Sequence, residues 1–189
     1  MVIGILAVQG AFIEHQAILN RLNVKNFQIR NKVDLNRQMD GIILPGGEST
    51  AMGKLLHDLD MMDDLKKMID QGLPVFGTCA GMILLAETIE KDNKKHIGLM
   101  HISVERNGYG RQLSSFLTEA HFNNHMIPMT FIRAPYITKK GDDVTILSTV
   151  DRRWVAAREK NMLATAFHPE LTNDLSVHVY FLEMISSLS

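Results

Sequence analysis

Three short stretches of this sequence hold residues whose types and spacing could do chemistry. The first, Gly77-Thr78-Cys79-Ala80-Gly81, follows the apolar run Pro74 to Phe76 and precedes a helical run, Met82 to Glu90. G-x-C-x-G in that setting is the cysteine form of a nucleophile elbow. A sharp strand-to-helix turn lifts the side chain clear of the sheet, and glycines flank it because a Cβ there would clash. The turn also puts the sulfur at a helix N-terminus, whose partial positive charge favours thiolate over thiol. Free cysteine is often a small buried hydrophobe; the glycine frame favours a nucleophile instead.

A thiol nucleophile needs a proton-transfer partner, and that partner needs a third group to hold its tautomer and orientation. Of the eight histidines, His168 in Ala166-Phe167-His168-Pro169-Glu170 has the best context, directly after a strand-like segment. Extended geometry would put His168 and Glu170, two residues apart, on the same side of that strand end. His-Pro-Glu alone is a weak signal, since His before Pro commonly marks a strand terminus, and its weight comes from the elbow. The third stretch, Leu44-Pro45-Gly46-Gly47-Glu48-Ser49-Thr50, also lies where a core strand ends. Consecutive glycines there expose backbone N–H groups able to donate to an oxyanion, and Ser49 is expected to cap the following helix; an ordinary turn is the alternative reading. Gly53-Lys54 imitates a phosphate-binding loop, but Gly47 and Gly53 have five residues between them rather than four, and Leu55 stands where Ser or Thr should hold magnesium. Nucleotide binding is therefore not expected.

These stretches need elements to position them. The first half alternates β-rich apolar runs (Val2 to Val8, Gly41 to Leu44, Pro74 to Phe76) with amphipathic runs, the pattern of a parallel sheet flanked by helices. Ala11 to Leu22, with Ile18, Leu19 and Leu22, and Met61 to Ile69, with Met62, Leu65 and Ile69, are the expected crossover helices. From His101 to Ala166 shorter strand-like segments, among them Val144 to Val150 and Trp154 to Ala157, are separated by turns such as Lys140-Gly141-Asp142 and predict additional antiparallel strands. A final helix is expected from about Asn173 to Leu188, capped by Thr172 or Asn173, with Leu175, Val179 and Leu182 on one face.

Composition narrows the class. With 189 residues, 46% hydrophobic and 22% charged, the chain suits one globular domain with a sizeable core and is not disordered. Lys plus Arg total 20 against 21 Asp plus Glu, so no basic surplus points to nucleic acid or an anionic membrane. The opening MVIGILAVQG lacks a basic n-region and reads as a buried strand, and no apolar run approaches membrane-spanning length. A soluble, cytoplasmic protein with reduced thiols is expected. Cys79 being the single cysteine, an internal disulfide and a multi-cysteine zinc site are excluded, and the scattered histidines lack ligand spacing, so no metal is expected. The twelve methionines are core fillers.

Taken together and in this order, Pro-Gly-Gly-Glu-Ser, Gly-Thr-Cys-Ala-Gly and Phe-His-Pro-Glu resemble a class I glutamine amidotransferase domain. Val104-Glu105-Arg106-Asn107-Gly108-Tyr109-Gly110-Arg111-Gln112 and Phe131-Ile132-Arg133-Ala134-Pro135 narrow the resemblance to the glutaminase subunits of pyridoxal 5′-phosphate synthase. Leu6-Ala7-Val8-Gln9-Gly10 is similar to that family's first strand and turn, and the resemblance covers residues 1–189. Gly108 departs from the Ser or Asn usual after Arg-Asn in the family, which bears on the local loop shape.

The resemblance implies a three-layer, flavodoxin-like α/β fold and hydrolysis of L-glutamine to glutamate and ammonia through Cys79, His168 and Glu170. It implies an oxyanion hole from the N–H groups of Gly47 and Ala80, and glutamine selection by Gly47, Glu48, Ser49, Arg106, Ile132 and Arg133. Free glutamine presents an α-carboxylate and an α-ammonium, so a cation and acceptors are reasonable there. Without the resemblance, neither Arg106 nor Arg133 stands above Arg111 or Arg30. It further implies a synthase (lyase) subunit as partner in a large hetero-oligomer, docking that rearranges the Gly47 loop, and no cofactor on this chain, the vitamin being the partner's product. Gln9, His15 and the helix from Ala11 are the expected docking side. The alternatives are a glutaminase serving another synthase and a cysteine hydrolase of the peptidase or deglycase type. The latter usually has His directly after Cys, where this chain has Ala80. A non-catalytic domain with a vestigial triad is disfavoured because competent residues fill all three positions.

Overall fold

A computed structural model describes residues 1–108 and 115–188. The first half runs β1 (Val2–Leu6), α1 (Phe12–Arg21), β2 (Lys25–Ile29), β3 (Gly41–Leu44), α2 (Ser49–Asp58), α3 (Met62–Asp70), β4 (Val75–Thr78) and α4 (Ala80–Leu85). The second half runs β5 (Ala86–Ile89), β6 (Met100–Glu105), β7 (Ser115–Phe122), β8 (His125–Ile132), β9 (Tyr136–Lys140), β10 (Thr145–Val150), β11 (Arg153–Glu159), β12 (Met162–Thr165) and α5 (Ser176–Leu188).

The main sheet has the order β2-β1-β3-β4-β12-β11-β9-β6-β5, with β10 added beside β11, and β7 and β8 form a separate hairpin. From β2 to β12 all pairings are parallel. Beyond β12 the sheet continues antiparallel through β11, β9 and β6, with β5 parallel to β6 at the edge. The residues explain the change of texture. Strands β3, β4 and β12 are buried at every position, as strands covered on both faces must be, whereas β6 and β10 mix buried with exposed positions.

Alternation along β4 defines the layers. Phe76 meets His15 of α1 and both His178 and Phe181 of α5, so those helices share one face. Gly77 looks the other way, where a Cβ would stand 2.6 Å from Gly81 and 2.9 Å from Leu85 of α4. That absent side chain lets α4 lie close on the sheet. The chain passes outward from β1 to β2, then crosses back over β1 to β3. Such a reversal opens a crevice at the carboxyl ends of β1 and β3, where sites in open α/β sheets form.

Several boundaries differ from expectation. The run Met82 to Glu90 is helical only to Leu85; Ala86–Ile89 turns into β5 and pairs with β6, its ends Ala86 and Ile89 buried and Glu87 and Thr88 exposed, a segment too short for its own pattern to separate helix from strand. Strand β2 is not among the expected apolar runs, because three of its five residues, Lys25, Asn26 and Gln28, are polar. Helix α5 starts at Ser176, its N–H bonded to Asp174, and buries Val177, His178, Phe181, Met184 and Ile185 rather than the Leu175, Val179 and Leu182 face. The cap of α2 is Glu48 and not Ser49: its carboxylate accepts the N–H groups of Thr50 and Ala51. Among the described residues no helix is long and apolar enough to cross a membrane.

Candidate active site

Cys79 sits between β4 and α4 with φ 47° and ψ −96°, a left-handed conformation that costs a non-glycine residue about 1–3 kcal/mol. The flanks hold it there: the Cys79 N–H donates to the Thr165 carbonyl at 2.8 Å, and its own carbonyl accepts from Ile83 at 3.2 Å. Both glycines of the elbow are required by contact, since Gly77 abuts Gly81 and a Cβ on Gly81 would run into the Leu44 carbonyl. The sulfur lies 3.9 Å from the carbonyl oxygen of Ile132 at the end of β8.

His168 emerges three residues beyond β12, and its backbone N–H is tied to the Thr130 carbonyl at 2.8 Å. Glu170 does not share an extended strand end with it; Pro169–Leu171 is a 3-10 turn that folds the carboxylate back onto the imidazole. The result matches the expected pairing by another local route: His168 Nδ1 lies 2.7 Å from Glu170 Oε1, and both side chains are buried. Burial pulls the His168 pKa down, but hydrogen bonds to Cys79 and Glu170 and their charges outweigh it and push the value up to about 10. The carboxylate on one side of the buried ring thus favours its charged form. Gly46 makes room for it, because a Cβ at that position would enter the His168 ring.

The turn after β1 pins the glycine loop. Ala11 N–H donates to the Gly46 carbonyl at 2.9 Å, Glu48 N–H donates to Gln9 Oε1 at 3.0 Å, and a Cβ on Gly47 would collide with the Gln9 amide. Gln9, expected on the docking side, thus also holds the loop. His15, also expected on the docking side, is wholly buried. The elbow, the His-Glu pair and the loop converge at the carboxyl ends of β1, β3, β4 and β12.

Residues 5–187 match the model of the SNO glutamine amidotransferase family. A chain from Streptococcus pneumoniae (strain CGSP14), described as pyridoxal 5′-phosphate synthase subunit PdxT, is 56% identical over 97% of both chains. A chain of the same description from Haemophilus influenzae (strain PittEE) is 54% identical over 97% of this chain and 98% of the relative. This chain belongs to the SNO glutamine amidotransferase family. A crystal structure of a glutamine amidotransferase superposes with a TM-score of 0.93 at 39% identity, covering 98% of this chain and all of that one (100%). A Thermotoga maritima glutamine amidotransferase superposes at 0.63 with 14% identity, covering 100% of this chain and 89% of that one, and so shares the fold.

Around the amidotransferase site, the six residues singled out for glutamine selection fall in three places. Gly47, Glu48 and Ser49 form the loop; Ser49 is buried, and Glu48 already spends both carboxylate oxygens on capping α2. Burial works against the Glu48 charge, but the Ala51 and Thr50 N–H groups and Arg106 hold its pKa below the ordinary carboxylate range. Arg106 follows β6 and bonds Asp92 at 2.8 Å and Thr50 at 3.2 Å, which fixes a half-buried guanidinium beside the loop. Ile132 and Arg133 end the β7–β8 hairpin, and Arg133 is exposed with a left-handed φ of 42°. Gly108 is explained by Tyr136, whose ring occupies the space a Cβ would need. Tyr109 to Gln112 lie outside the described residues. The rejected Gly53-Lys54 pair is occupied elsewhere: Gly53 abuts His96, and Lys54 pairs with Asp58. Sequence reasoning missed Asp92, to which nothing local pointed; it named Gly46 and Gln9 but not their contacts with the His168 ring and the Gly47 loop.

Proposed function

We propose that the 189 residues form a single glutaminase domain that hydrolyses L-glutamine and delivers the ammonia to the synthase subunit of pyridoxal 5′-phosphate synthase in the cytoplasm. The observation that carries this reading is the buried His168–Glu170 pair brought, in a family member, to the same end of the sheet as the Cys79 elbow and the glycine loop. The Cys79 thiolate attacks the side-chain carboxamide carbon, and charge moves onto the carbonyl oxygen. The N–H groups of Gly47 and Ala80 hold that oxyanion; losing one such donor typically costs on the order of 10² to 10³ in rate. His168, its Nδ1 engaged by Glu170, uses Nε2 to protonate the departing nitrogen, and ammonia leaves a glutamyl thioester. The now neutral imidazole takes a proton from water, the hydroxide attacks the thioester, and glutamate departs as the thiolate re-forms.

Arg106 offers a cation for the substrate α-carboxylate, and the Glu48 loop with the Ile132 and Arg133 backbone offers acceptors and shape for its α-ammonium end. Docking of the synthase subunit settles the Gly47 loop into its working form, so the chain is slow alone and activated by its partner. The relatives described as PdxT favour this acceptor over another synthase. A glutamine-analogue chloroketone tests the reading. With the partner present it should add one equivalent to Cys79, seen as a mass shift on the Cys79 peptide. A wild-type protein that stays unlabelled even with the partner would return the chain to the peptidase-like class.

A further inference from the structure

Behind the triad, on the Phe76 side of the sheet, lies a second polar cluster that the proposed chemistry does not use. His15 of α1, Thr78 of β4 and His178 of α5 are all completely buried. His15 Nδ1 stands 2.9 Å from His178 Nε2, and His15 Nε2 stands 3.2 Å from Thr78 Oγ1 and 3.6 Å from Glu170 Oε2. A line of side chains therefore runs from α5 through α1 to the triad carboxylate and on to His168. Two atoms in it lack a hydrogen-bond partner among the described residues: Glu170 Oε2 and His178 Nδ1.

Those orphans decide where the protons lie. If His15 donated from Nδ1, His178 would carry its proton on Nδ1, a buried donor with no acceptor, and His15 would turn a lone pair toward Glu170 Oε2. If His178 donates from Nε2, its Nδ1 is only a bare acceptor. His15 then presents Nε2–H to Thr78 Oγ1 and to the free carboxylate oxygen. An orphaned buried N–H costs more than an orphaned acceptor, and a lone pair facing a carboxylate repels it, so the second arrangement wins on both counts. Burial also keeps both rings uncharged: it is the main cause that lowers His15 well below its ordinary pKa, with His178 and His168 adding to it, and it brings His178 to about 3.

We propose that His15, locked by His178 as its Nε2–H tautomer, is a positioning residue that aims a neutral N–H at the second oxygen of Glu170 and keeps the first oxygen on His168. At 3.6 Å this is an electrostatic contact rather than a full hydrogen bond, and Thr78 shares the donor. The groups facing His15 are Thr78 from β4, Glu170 and His168 from the 3-10 turn, His178 from α5 and the edge-on Phe76 ring. A charged His15 would compete with His168 for Glu170, so a neutral donor suits the task.

The proposal rests on the glutaminase reading, and its test separates the two. With the synthase subunit present, His15→Leu should lower kcat for glutamine about 10- to 100-fold, as loss of an orienting partner does in metal sites, and leave KM within about twofold. His15→Gln, whose amide N–H can reach the same carboxylate, should recover most of the loss. An unchanged kcat in a folded His15→Leu protein, or a loss that His15→Gln does not recover, overturns the positioning role in favour of none or of packing alone. Independently of activity, ¹⁵N-histidine spectra of the wild-type chain should show His15 as the neutral Nε2–H tautomer, and an Nδ1–H ring would overturn the proposal. Wild-type protein that releases no glutamate would instead sink the glutaminase reading while the spectra still judge the tautomer.

Discussion

Two histidine-carboxylate pairs in this molecule have nearly the same contact and different consequences. His168 and Glu170 meet at 2.7 Å, and His101 and Glu159 meet at 2.6 Å. In both, the carboxylate is buried and raises the imidazole pKa. The difference is the other side of the ring. His168 is 8% exposed at the carboxyl ends of the parallel strands, where the Cys79 elbow also lies, whereas His101 is 57% exposed at the antiparallel end of the sheet. Glu159 there is already satisfied by the His101 N–H at 2.8 Å as well as by the ring. A shifted imidazole thus marks a site only when it is sealed against something that reacts.

Substitutions can break that contrast. Glu170→Gln should have the largest effect among changes to the two pairs, because an amide can hold the wrong tautomer: about 10² to 10⁴ in kcat, read from glutamate release with the partner present. Next, Arg106→Ala should raise KM for glutamine about 10- to 100-fold, the value of a charge-assisted contact, with a smaller change in kcat. Equal glutamine binding by wild type and this variant in calorimetry would remove Arg106 from substrate selection. At the other pair, His101→Gln should leave kcat and KM within about twofold, as surface changes do.

Its signature is in stability. The folded-state pKa of His101 is raised, so the pair contributes fully below the unfolded value of about 6.5 and loses its contribution as pH rises through the folded value. Wild type should therefore out-melt His101→Gln most clearly near pH 5.5, with the gap narrowing as the solution becomes alkaline. A gap that widens with pH would reverse the sign of the argument. For His168 the corresponding window runs from about 6.5 up to about 10.

Legibility in the sequence followed how local each determinant is. The elbow could be read because its glycines answer to contacts within a few residues and to one neighbouring strand. The His-Glu pair could be read from spacing, although a 3-10 turn and not a strand makes it. Helices α1 and α3 were legible from apolar periodicity, whereas β5 was hidden because Ala-Glu-Thr-Ile is too short to declare either state until β6 supplies a partner. The cap of α2 is local, and Ser49 beside Glu48 offered an equally plausible capping side chain, whereas the loop-pinning bond from Glu48 N–H to Gln9 and the His15–His178 contact, which joins residues 163 apart, depend on tertiary closure. No window of sequence contains both ends of such contacts.

The central claim is that a Cys79 thiolate, assisted by His168 and a partner-settled Gly47 loop, splits glutamine. The most direct measurement is glutamate release from glutamine with and without a pyridoxal 5′-phosphate synthase subunit, using Cys79→Ala as the blank. Release should rise sharply with the partner and fall by on the order of 10⁴ or more in the blank. Release that survives Cys79→Ala, or wild-type protein that releases nothing even with the partner, would contradict the account.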